Sequence, residues 1–181
     1  MRIISGKHKG IRILAPKKLP VRPTTDMAKE ALFNILNNVY YFDEISVLDL
    51  FSGIGSISLE FSSRGTTDIT AVDKHYGCTQ FLSNTASKYD MKIQTINKDV
   101  FSFLEKQTKA FDVIFADPPY DISFEDFTKI STLVFANNLL AENGMLIIEH
   151  GSKTNLSELP NFNKERRYGG NRFSFFSNKE E

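Results

Sequence analysis

Residues 46–56, "SVLDLFSGIGS", join a short apolar run to a loop with two glycines and to the start of a helical pattern. The apolar half predicts a buried strand. Gly53 and Gly55 allow a tight turn and let the backbone approach a ligand where the next helix begins. Ser58 occupies the third glycine position of the dinucleotide-binding pattern, which disfavours a nicotinamide site and favours a nucleoside site at this loop.

Apolar runs that alternate with helical patterns continue after this stretch. They are "DITAV" (68–72), "KIQTI" (92–96), "DVIFA" (112–116) and "MLIIEH" (145–150). Such alternation is typical of an α/β protein with a parallel sheet and helices on both faces. The segment "NKERRYGGNRFSFF" (163–176) has two glycines between extended stretches and predicts a C-terminal β-hairpin. We therefore expect a seven-stranded, mostly parallel sheet.

The segment before the first strand, "VRPTTDMAKEALFNILNN" (21–38), predicts a helix that starts near Asp26, with Pro23 marking the boundary. Its apolar residues that recur at helical spacing are Ala28, Leu32, Ile35 and Val39. Residues 1–22 precede this helix as a small basic N-terminal arm or hairpin. Residues 23–181 are then the expected catalytic core of a single domain.

The composition excludes several classes of protein. The 181 residues are 41% hydrophobic and 24% charged, which fits one globular domain with a sizeable core. No apolar stretch approaches the roughly 20 residues of a membrane helix, and the N-terminus lacks the pattern of a signal peptide. One cysteine and three scattered histidines offer neither a disulfide nor metal-ligand spacing. We expect a cytoplasmic monomer without a metal or a membrane partner.

The charge is distributed unevenly along a chain whose formal net charge is zero. Seven basic residues and no acid stand in residues 1–22, so the remaining chain carries 15 basic and 22 acidic side chains. A basic arm on an acidic body indicates a polyanion as the partner. The alternative is a short basic terminus that is merely solvated.

Acidic residues end the predicted strands, at the edge where open parallel sheets bind ligands. Asp73 ends the second strand, 20 residues after Gly53, where an acid accepts hydrogen bonds from ribose hydroxyls. Asp99 ends the third strand and is placed to reach the exocyclic amine of an adenine, with Val100 against its ring. Together these acids favour a nucleoside cofactor.

The fourth strand ends in "FADPPYD" (115–121), an acid followed by two prolines and an aromatic residue. Pro118 and Pro119 give a rigid turn rich in carbonyl acceptors, with Tyr120 just beyond. An amino group on a base ring is a poor nucleophile because its lone pair is delocalised. Asp117 and a proline carbonyl could localise that lone pair while Tyr120 stacks on the base, in line with an electrophilic methyl group. The alternative is a double proline that only ends the strand.

The series "LDLFSGIG", "AVDK", "NKDV" and "DPPY" resembles the ordered motifs of S-adenosylmethionine-dependent amino-methyltransferases. More narrowly, "MRIISGKHKGIRILAP", "RPTTDMAKEALFNIL", "DLFSGIGSISLEFSSRG" and "RYGGNR" resemble the bacterial RsmD family of 16S rRNA (guanine-N2)-methyltransferases. The resemblance covers nearly the whole chain. It implies a Rossmann-like class I methyltransferase fold and 16S rRNA, or the assembling 30S subunit, as the partner.

The resemblance also implies roles for individual residues. Catalysis is assigned to Asp117, Pro118, Pro119 and Tyr120. Cofactor binding is assigned to Arg22, Thr24, Thr25, Asp49, Phe51, Gly53, Gly55, Asp73, Lys74, Asp99 and Val100. RNA binding is assigned to Arg2, Lys7, His8, Lys9, Arg12, Arg22, Tyr168 and Arg172. In this scheme the exocyclic N2 of a flipped guanine attacks the methyl group, without a covalent enzyme intermediate.

The chain departs from the family pattern at a few positions. The departures are Met27 and Ala28, Ser58, Asp73 where the family has glutamate, and Gly170 with Asn171. Those at residues 27 and 170–171 affect expected RNA contacts more than the reaction. Three alternatives remain: an amino-methyltransferase for another RNA or DNA base, one for a protein glutamine or a small molecule, and a non-catalytic RNA-binding module.

Overall fold

A computed structural model of the protein describes residues 1–20 and 24–178. In this part of the chain the strands are β1 Ser46–Leu50, β2 Asp68–Asp73, β3 Ile93–Asn97, β4 Phe111–Ala116, β5 Leu140–Gly151, β6 Phe162–Tyr168 and β7 Asn171–Ser177. The α-helices are α1 Asp26–Asn37, α2 Ser56–Ser63, α3 Tyr76–Lys88, α4 Val100–Leu104 and α5 Phe124–Ala136. A single 3-10 turn, Phe42–Glu44, precedes β1.

The strands form one sheet in the order β3-β2-β1-β4-β5-β7-β6. The pairs among β1 to β5 are parallel, whereas β7 is antiparallel to both β5 and β6. From β1 the chain first builds outward through β2 and β3, and then returns to place β4 on the other side of β1. The switch point therefore lies between β1 and β4, and the predicted fold class with its C-terminal hairpin is confirmed.

Helices cover both faces of the sheet because successive residues of each strand point to opposite sides. Leu48 packs with residues of α4 and α5, whereas its neighbour Val47 packs with residues of α1 and α2. A third cluster joins α2 and α3 to the N-terminal residues. Each fully buried aliphatic or aromatic side chain contributes about 1.5 to 3 kcal/mol to folding. The carboxyl ends of the parallel strands meet at one edge, which is left open between these layers.

The predicted helix before β1 is confirmed at its start and wrong at its end. Thr25 caps α1, since its Oγ1 accepts a hydrogen bond from the N–H of Ala28 at 3.2 Å. Ala28 is buried as expected, but the helix stops at Asn37 and Val39 is 54% exposed. The buried stripe includes Lys29 in place of an apolar residue, and a charge inside the stripe cannot be anticipated from hydrophobic spacing.

The basic N-terminal segment folds into a short hairpin, residues 1–13, with Arg2 bridged to Arg12 in antiparallel fashion. Ile3 and Ile13 are buried against residues of α2 and α3. At the tip, the N–H of Lys7 donates to the carbonyl of Ser63 at 2.7 Å. Gly6 has a φ of +83°, and a Cβ on it would overlap that same carbonyl oxygen. The tip is thereby held against the last residue of α2.

A buried ion pair connects this N-terminal hairpin to the core. Glu60 in α2 is fully buried and accepts hydrogen bonds from the N–H groups of Ile4 at 2.9 Å and Ser5 at 3.0 Å. Lys29 Nζ lies 3.5 Å from Glu60 Oε2 and donates to the carbonyl of Arg2 at 2.7 Å. Burial lowers the pKa of Lys29. Since charges are rarely buried unless they are paired, Lys29 and Glu60 hold the hairpin against α1 and α2.

Candidate active site

A cleft of about 770 Å³ opens at the carboxyl edge of the sheet, at the switch point between β1 and β4. Its volume is within the usual range of small-molecule sites. The cleft is lined by the loops that follow β1, β2, β3 and β4, and by Pro20 and Thr24 from the segment ahead of α1. Four loops from four different strands therefore contribute to one site.

The loop after β1 has an unusual backbone. Phe51 has a φ of +56°, and Gly53 and Gly55 also have positive φ values. Gly55 is the N-cap of α2, and no side chain caps this helix end. A non-glycine residue in the left-handed region is uncommon and concentrates at functional sites. The positive end of α2 and its first N–H groups thus lie at the cleft, beside Ser56 and Ile57 in its wall.

Asp73 organises the loop as well as lining the cleft. Its Oδ2 accepts a hydrogen bond from the N–H of Gly53 at 2.8 Å, and its Oδ1 accepts one from the N–H of His75 at 2.8 Å. Each carboxylate oxygen can accept a second bond, so the predicted contact with ribose hydroxyls is compatible with this geometry. Lys74 follows it in the cleft wall with an exposed side chain.

If Asp73 contacts the ribose of S-adenosylmethionine as the family resemblance implies, Asp73→Ala is expected to weaken cofactor binding, because it removes the carboxylate acceptors and the bond that holds the loop at Gly53. A loss of roughly 1.5 to 3 kcal/mol is typical for hydrogen bonds to a charged group. Isothermal calorimetry measures it directly. The exposed Asp90→Ala, beyond the end of α3, is the matched control. Equal affinities for wild type and Asp73→Ala would remove Asp73 from the cofactor site.

Asp99 lies in the cleft wall, but it does not end the third strand as predicted. The strand β3 ends at Asn97, and Asp99 is the N-cap of α4, with its Oδ1 accepting from the N–H of Ser102 at 2.9 Å. Val100 is buried beside it and also lines the cleft. Asn97, which no sequence motif singled out, donates from its Nδ2 to the carbonyls of Asp73 at 3.1 Å and Lys74 at 2.9 Å. Asn97 thus ties the loops after β2 and β3 together.

Asp117 to Tyr120 directly follow β4 and line the cleft opposite the loop after β1. The N–H of Asp117 points to the carbonyl of Leu50, 3.4 Å away at the end of β1. Pro118 is buried, whereas the Tyr120 side chain is 69% exposed at the cleft mouth. An acid is therefore held inside the cleft with an aromatic ring at its entrance.

Asp49, near the end of β1, is 2% exposed and lines the same cleft. Its Oδ2 accepts hydrogen bonds from the hydroxyl of Ser58 at 2.6 Å and from the N–H of Ser58 at 3.2 Å. Burial raises the pKa of Asp49 to about 7, the bonds from Ser58 oppose that rise, and the charge of Asp73 adds to it. Ser58, a departure from the family pattern, is therefore a direct partner of a cleft carboxyl.

The stability of the ligand-free protein is expected to decrease between about pH 4 and pH 7 because of Asp49. Its pKa is about 7 in the folded protein and near the ordinary 3.8 in the unfolded chain. The folded state consequently holds more protons in this window, and stability falls as pH rises through it. Asp49→Asn should flatten this part of the profile, as measured by thermal unfolding at a series of pH values. Parallel wild-type and variant profiles would contradict the assignment.

The remaining predicted residues are distributed around the cleft and away from it. Thr24 is buried and lines the cleft, Thr25 caps α1, and Arg22 lies outside the described residues.

Arg2 pairs with Asp26 at 3.2 Å, near the start of α1. Lys7 and Lys9 are exposed at the hairpin tip. Because α2 spans about 12 Å and the tip binds its last residue, these lysines lie at the far end of α2 from the cleft.

Three predicted RNA-binding side chains already have partners within the fold. The ring of His8 packs edge-on against Tyr89 with centroids 5.9 Å apart, and Tyr168 packs against Phe173. Arg172 Nη1 lies 3.1 Å from Glu165 Oε1, so its charge is largely compensated. Arg12 is exposed on the N-terminal hairpin. Among the described members of the set, the hairpin lysines and Arg12 are exposed and form no ion pair with another described residue, so they are the most accessible.

Between residues 1 and 20 and between 24 and 178, no three His, Cys, Asp or Glu side chains form a candidate metal site. Over the same ranges, no helix is both long and apolar enough to cross a bilayer.

Comparison with known proteins assigns a family. The family model described as "Conserved hypothetical protein 95" matches residues 1–177. Putative rRNA methyltransferase YlbH of Bacillus subtilis (strain 168) is 32% identical over 87% of this chain and 86% of its own length. Ribosomal RNA small subunit methyltransferase D of Buchnera aphidicola subsp. Baizongia pistaciae (strain Bp) is 31% identical over 86% of this chain and 78% of its length.

Solved structures of methyltransferases share the fold of this chain. The putative methyltransferase yhhF from Escherichia coli superposes with a TM-score of 0.84 and 27% identity, covering 97% of this chain and 96% of that chain. The Thermus thermophilus 16S rRNA N2 G1207 methyltransferase, in complex with AdoMet and guanosine, shares the fold at a TM-score of 0.70 and 17% identity over 89% of this chain and 45% of that chain. The chain therefore belongs to the RsmD family of S-adenosylmethionine-dependent methyltransferases.

Proposed function

We propose that this protein methylates the exocyclic N2 of a guanine in small-subunit (16S) ribosomal RNA, with S-adenosylmethionine as the methyl donor. The Bacillus subtilis relative, named as an rRNA methyltransferase, and the Buchnera aphidicola relative, named as an rRNA small subunit methyltransferase, support rRNA as the substrate class. The observation that carries the proposal is the position of Asp117. It follows β4 directly, inside the same cleft as Asp73 and Asp99 and across the switch point from the loop after β1.

The residues of the cleft suit S-adenosylmethionine. Asp73 offers carboxylate oxygens to the ribose, and the buried Val100 offers an apolar surface to the adenine ring. The N-terminus of α2 favours a carboxylate, while the acidic wall at Asp49 favours a cationic group. The bound cofactor supplies an electrophilic methyl group on a positively charged sulfur.

Asp117 and its two prolines carry the chemistry of the target base. A guanine amine must lose its conjugation with the ring before it can act as a nucleophile. Asp117 accepts one amine hydrogen and a proline carbonyl accepts the other, which localises the nitrogen lone pair. Methylation makes the amine acidic, and its proton leaves afterwards, so Asp117 acts as acceptor and positioner rather than as an obligatory base.

The base must leave its stack to reach Asp117. Base flipping costs a few kcal/mol, which an enzyme recovers by stacking and by hydrogen bonds in the pocket. Tyr120 stands exposed at the cleft entrance, where its ring can stack on an extruded base. The N-terminal hairpin supplies exposed cations to the surrounding phosphates, which give affinity but little sequence choice.

Replacing Lys7, Lys9 and Arg12 together with alanine is expected to weaken RNA binding and to flatten its salt dependence. For duplex nucleic acid the slope of log affinity against log salt falls by about 0.9 per lost phosphate contact. Fluorescence anisotropy across a salt series measures the slope, and calorimetry should show unchanged cofactor affinity. The control is a triple change at Lys106, Lys109 and Lys129, outside the hairpin. An unaltered slope in the hairpin variant would mean that the hairpin makes no phosphate contacts and is only a solvated basic terminus.

Transfer of a radiolabelled methyl group tests the proposed substrate class. Purified enzyme and labelled cofactor are incubated in parallel with small-subunit rRNA, assembled small subunits, large-subunit rRNA, duplex DNA and a glutamine-containing protein extract. We expect label in small-subunit RNA, free or assembled. Label only in DNA or protein would replace the proposal by another amino-methyltransferase. RNA binding without any transfer would indicate a non-catalytic RNA-binding module.

A further inference from the structure

A second carboxyl residue stands beside Asp117 at the carboxyl edge of the sheet. Glu149 lies near the end of β5, one residue after Ile148, which is the register partner of Ala116 in β4. Asp117 follows Ala116 in the same way, so the two acids occupy neighbouring positions of adjacent parallel strands, Asp117 just after β4 and Glu149 among the last residues of β5. Glu149 is only 2% exposed. No sequence motif assigns Glu149 a role.

Both oxygens of Glu149 are bonded to side chains that are far apart in sequence. Its Oε2 accepts a hydrogen bond from the hydroxyl of Thr24 at 3.1 Å. Its Oε1 accepts one from Nδ2 of Asn171 at 2.6 Å, from the first residue of β7. A buried carboxylate is costly unless it accepts such bonds, so Glu149 holds both partners firmly.

These two bonds connect the C-terminal hairpin to the wall of the cleft. Thr24 is buried, lines the cleft and immediately precedes Thr25, the N-cap of α1. Asn171 is one of the two adjacent departures from the family pattern, and the structure shows it as the amide donor that faces Glu149. A shift of Glu149 would move Thr24, and with it the cleft wall where α1 begins.

We propose that Glu149 is a positioning residue for cofactor binding: its buried carboxylate, held by Asn171, keeps Thr24 in place in the cleft wall. This inference rests on the proposed function, because it assigns Thr24 to the cofactor. Glu149 itself is not among the residues that line the cleft, so it acts through Thr24 rather than through contact with the ligand.

Three variants of the full chain test the proposal: Glu149→Gln, Asn171→Ala and Asn171→Asp. We expect each to raise the calorimetric Kd for S-adenosylmethionine about tenfold, the size of one charge-assisted hydrogen bond. Asn171→Asp should be the weaker binder of the two Asn171 variants, although aspartate has the shape of asparagine, because it sets a carboxylate against Glu149. Glu149→Gln combined with Asn171→Ala should be non-additive, since the first weakens and the second removes the same contact between Glu149 and Asn171.

Asn163→Ala is the matched control. Asn163 lies in the same C-terminal hairpin, with its Nδ2 3.5 Å from Ser177 Oγ at the end remote from the cleft. Its cofactor Kd should stay within twofold of wild type. Thermal melting of every variant separates positioning from stability. If Glu149 only stabilises the fold, the variants melt earlier but bind the cofactor with wild-type Kd, and the proposal is overturned.

Asn171→Asp that binds as well as or better than Asn171→Ala would also overturn it, because shape rather than charge would then matter. The measurement uses cofactor alone and no RNA. A wild-type protein that fails to methylate guanine N2 would therefore defeat the proposed function without altering the outcome of this test.

Discussion

Asp117→Asn is expected to lower the rate of methyl transfer by about a hundredfold or more while cofactor affinity barely changes. Asparagine keeps the shape of the side chain after β4 but loses the negative charge that, in the proposed mechanism, stabilises the amine as its lone pair localises. Removal of one preorganised polar group from an active site typically costs about 10²- to 10³-fold in rate. Because the contact strengthens in the transition state, the loss should appear in the rate and not in binding.

Single-turnover methylation with enzyme in excess measures this rate, beside calorimetry with S-adenosylmethionine. Glu125→Gln, an exposed acid in the first turn of α5, is the control for the loss of one negative charge near the site. If the Asp117→Asn enzyme were fully active, Asp117 would have no part in the reaction, and Asp117, Pro118 and Pro119 would serve only as the turn that ends β4.

Glu60→Gln is expected to lower the free energy of unfolding by about 3 to 5 kcal/mol, the usual cost of breaking a buried ion pair. Glu60 is fully buried and accepts from the N–H groups of Ile4 and Ser5 and from Arg64 Nε, besides facing Lys29. An amide offers one acceptor oxygen in place of two. It also leaves the Lys29 ammonium buried without a compensating charge.

Chemical denaturation monitored by circular dichroism measures the change, with the exposed Glu30→Gln in α1 as the control. Hydrogen exchange should show that residues 1–13 lose protection along with the rest of the fold. A loss below about 1 kcal/mol would place Glu60 among ordinary surface ion pairs and not among buried ones.

The fold could be predicted from the sequence because its signals are local. The run at 46–50 and the glycines that follow it specify a strand, a tight turn and a helix start within a dozen residues. Gly169 and Gly170 mark the C-terminal hairpin in the same way. Local signals are less exact at element ends, and so Val39 was placed in a helix that stops at Asn37 and Asp99 in a strand that stops at Asn97.

Much of the site could also be anticipated, because the carboxyl ends of parallel strands converge at one edge. Asp73 and Asp117 stand there as expected, one at the end of β2 and the other directly after β4. The contacts that support the site could not be anticipated, since they join distant residues. Thr24 and Glu149 are separated by 125 positions, and Ile4 and Glu60 by 56. Neither hydrophobic periodicity nor the spacing of motifs in the sequence indicates such pairs.

The partner of Asp49 illustrates the same limit at short range. In the sequence, Ser58 is noticed only because it replaces the third glycine of the dinucleotide-binding pattern, which disfavours a dinucleotide site. In the fold it is fully buried on the first turns of α2 and donates to Asp49. The spacing of the glycines shows that Ser58 replaces one of them, but it does not show that the serine hydroxyl has a partner. That depends on α2 placing Ser58 next to Asp49 in the fold.

Mass spectrometry of rRNA nucleosides tests most directly whether the Asp117 site transfers a methyl group to guanine N2. Small-subunit rRNA, free and assembled, is incubated with wild-type enzyme and S-adenosylmethionine, digested to nucleosides and compared with synthetic methylguanosine standards. We expect N2-methylguanosine with the wild-type enzyme and a strongly reduced yield with Asp117→Asn. A methyl group on a ring nitrogen, on a ribose or on another base would contradict this expectation.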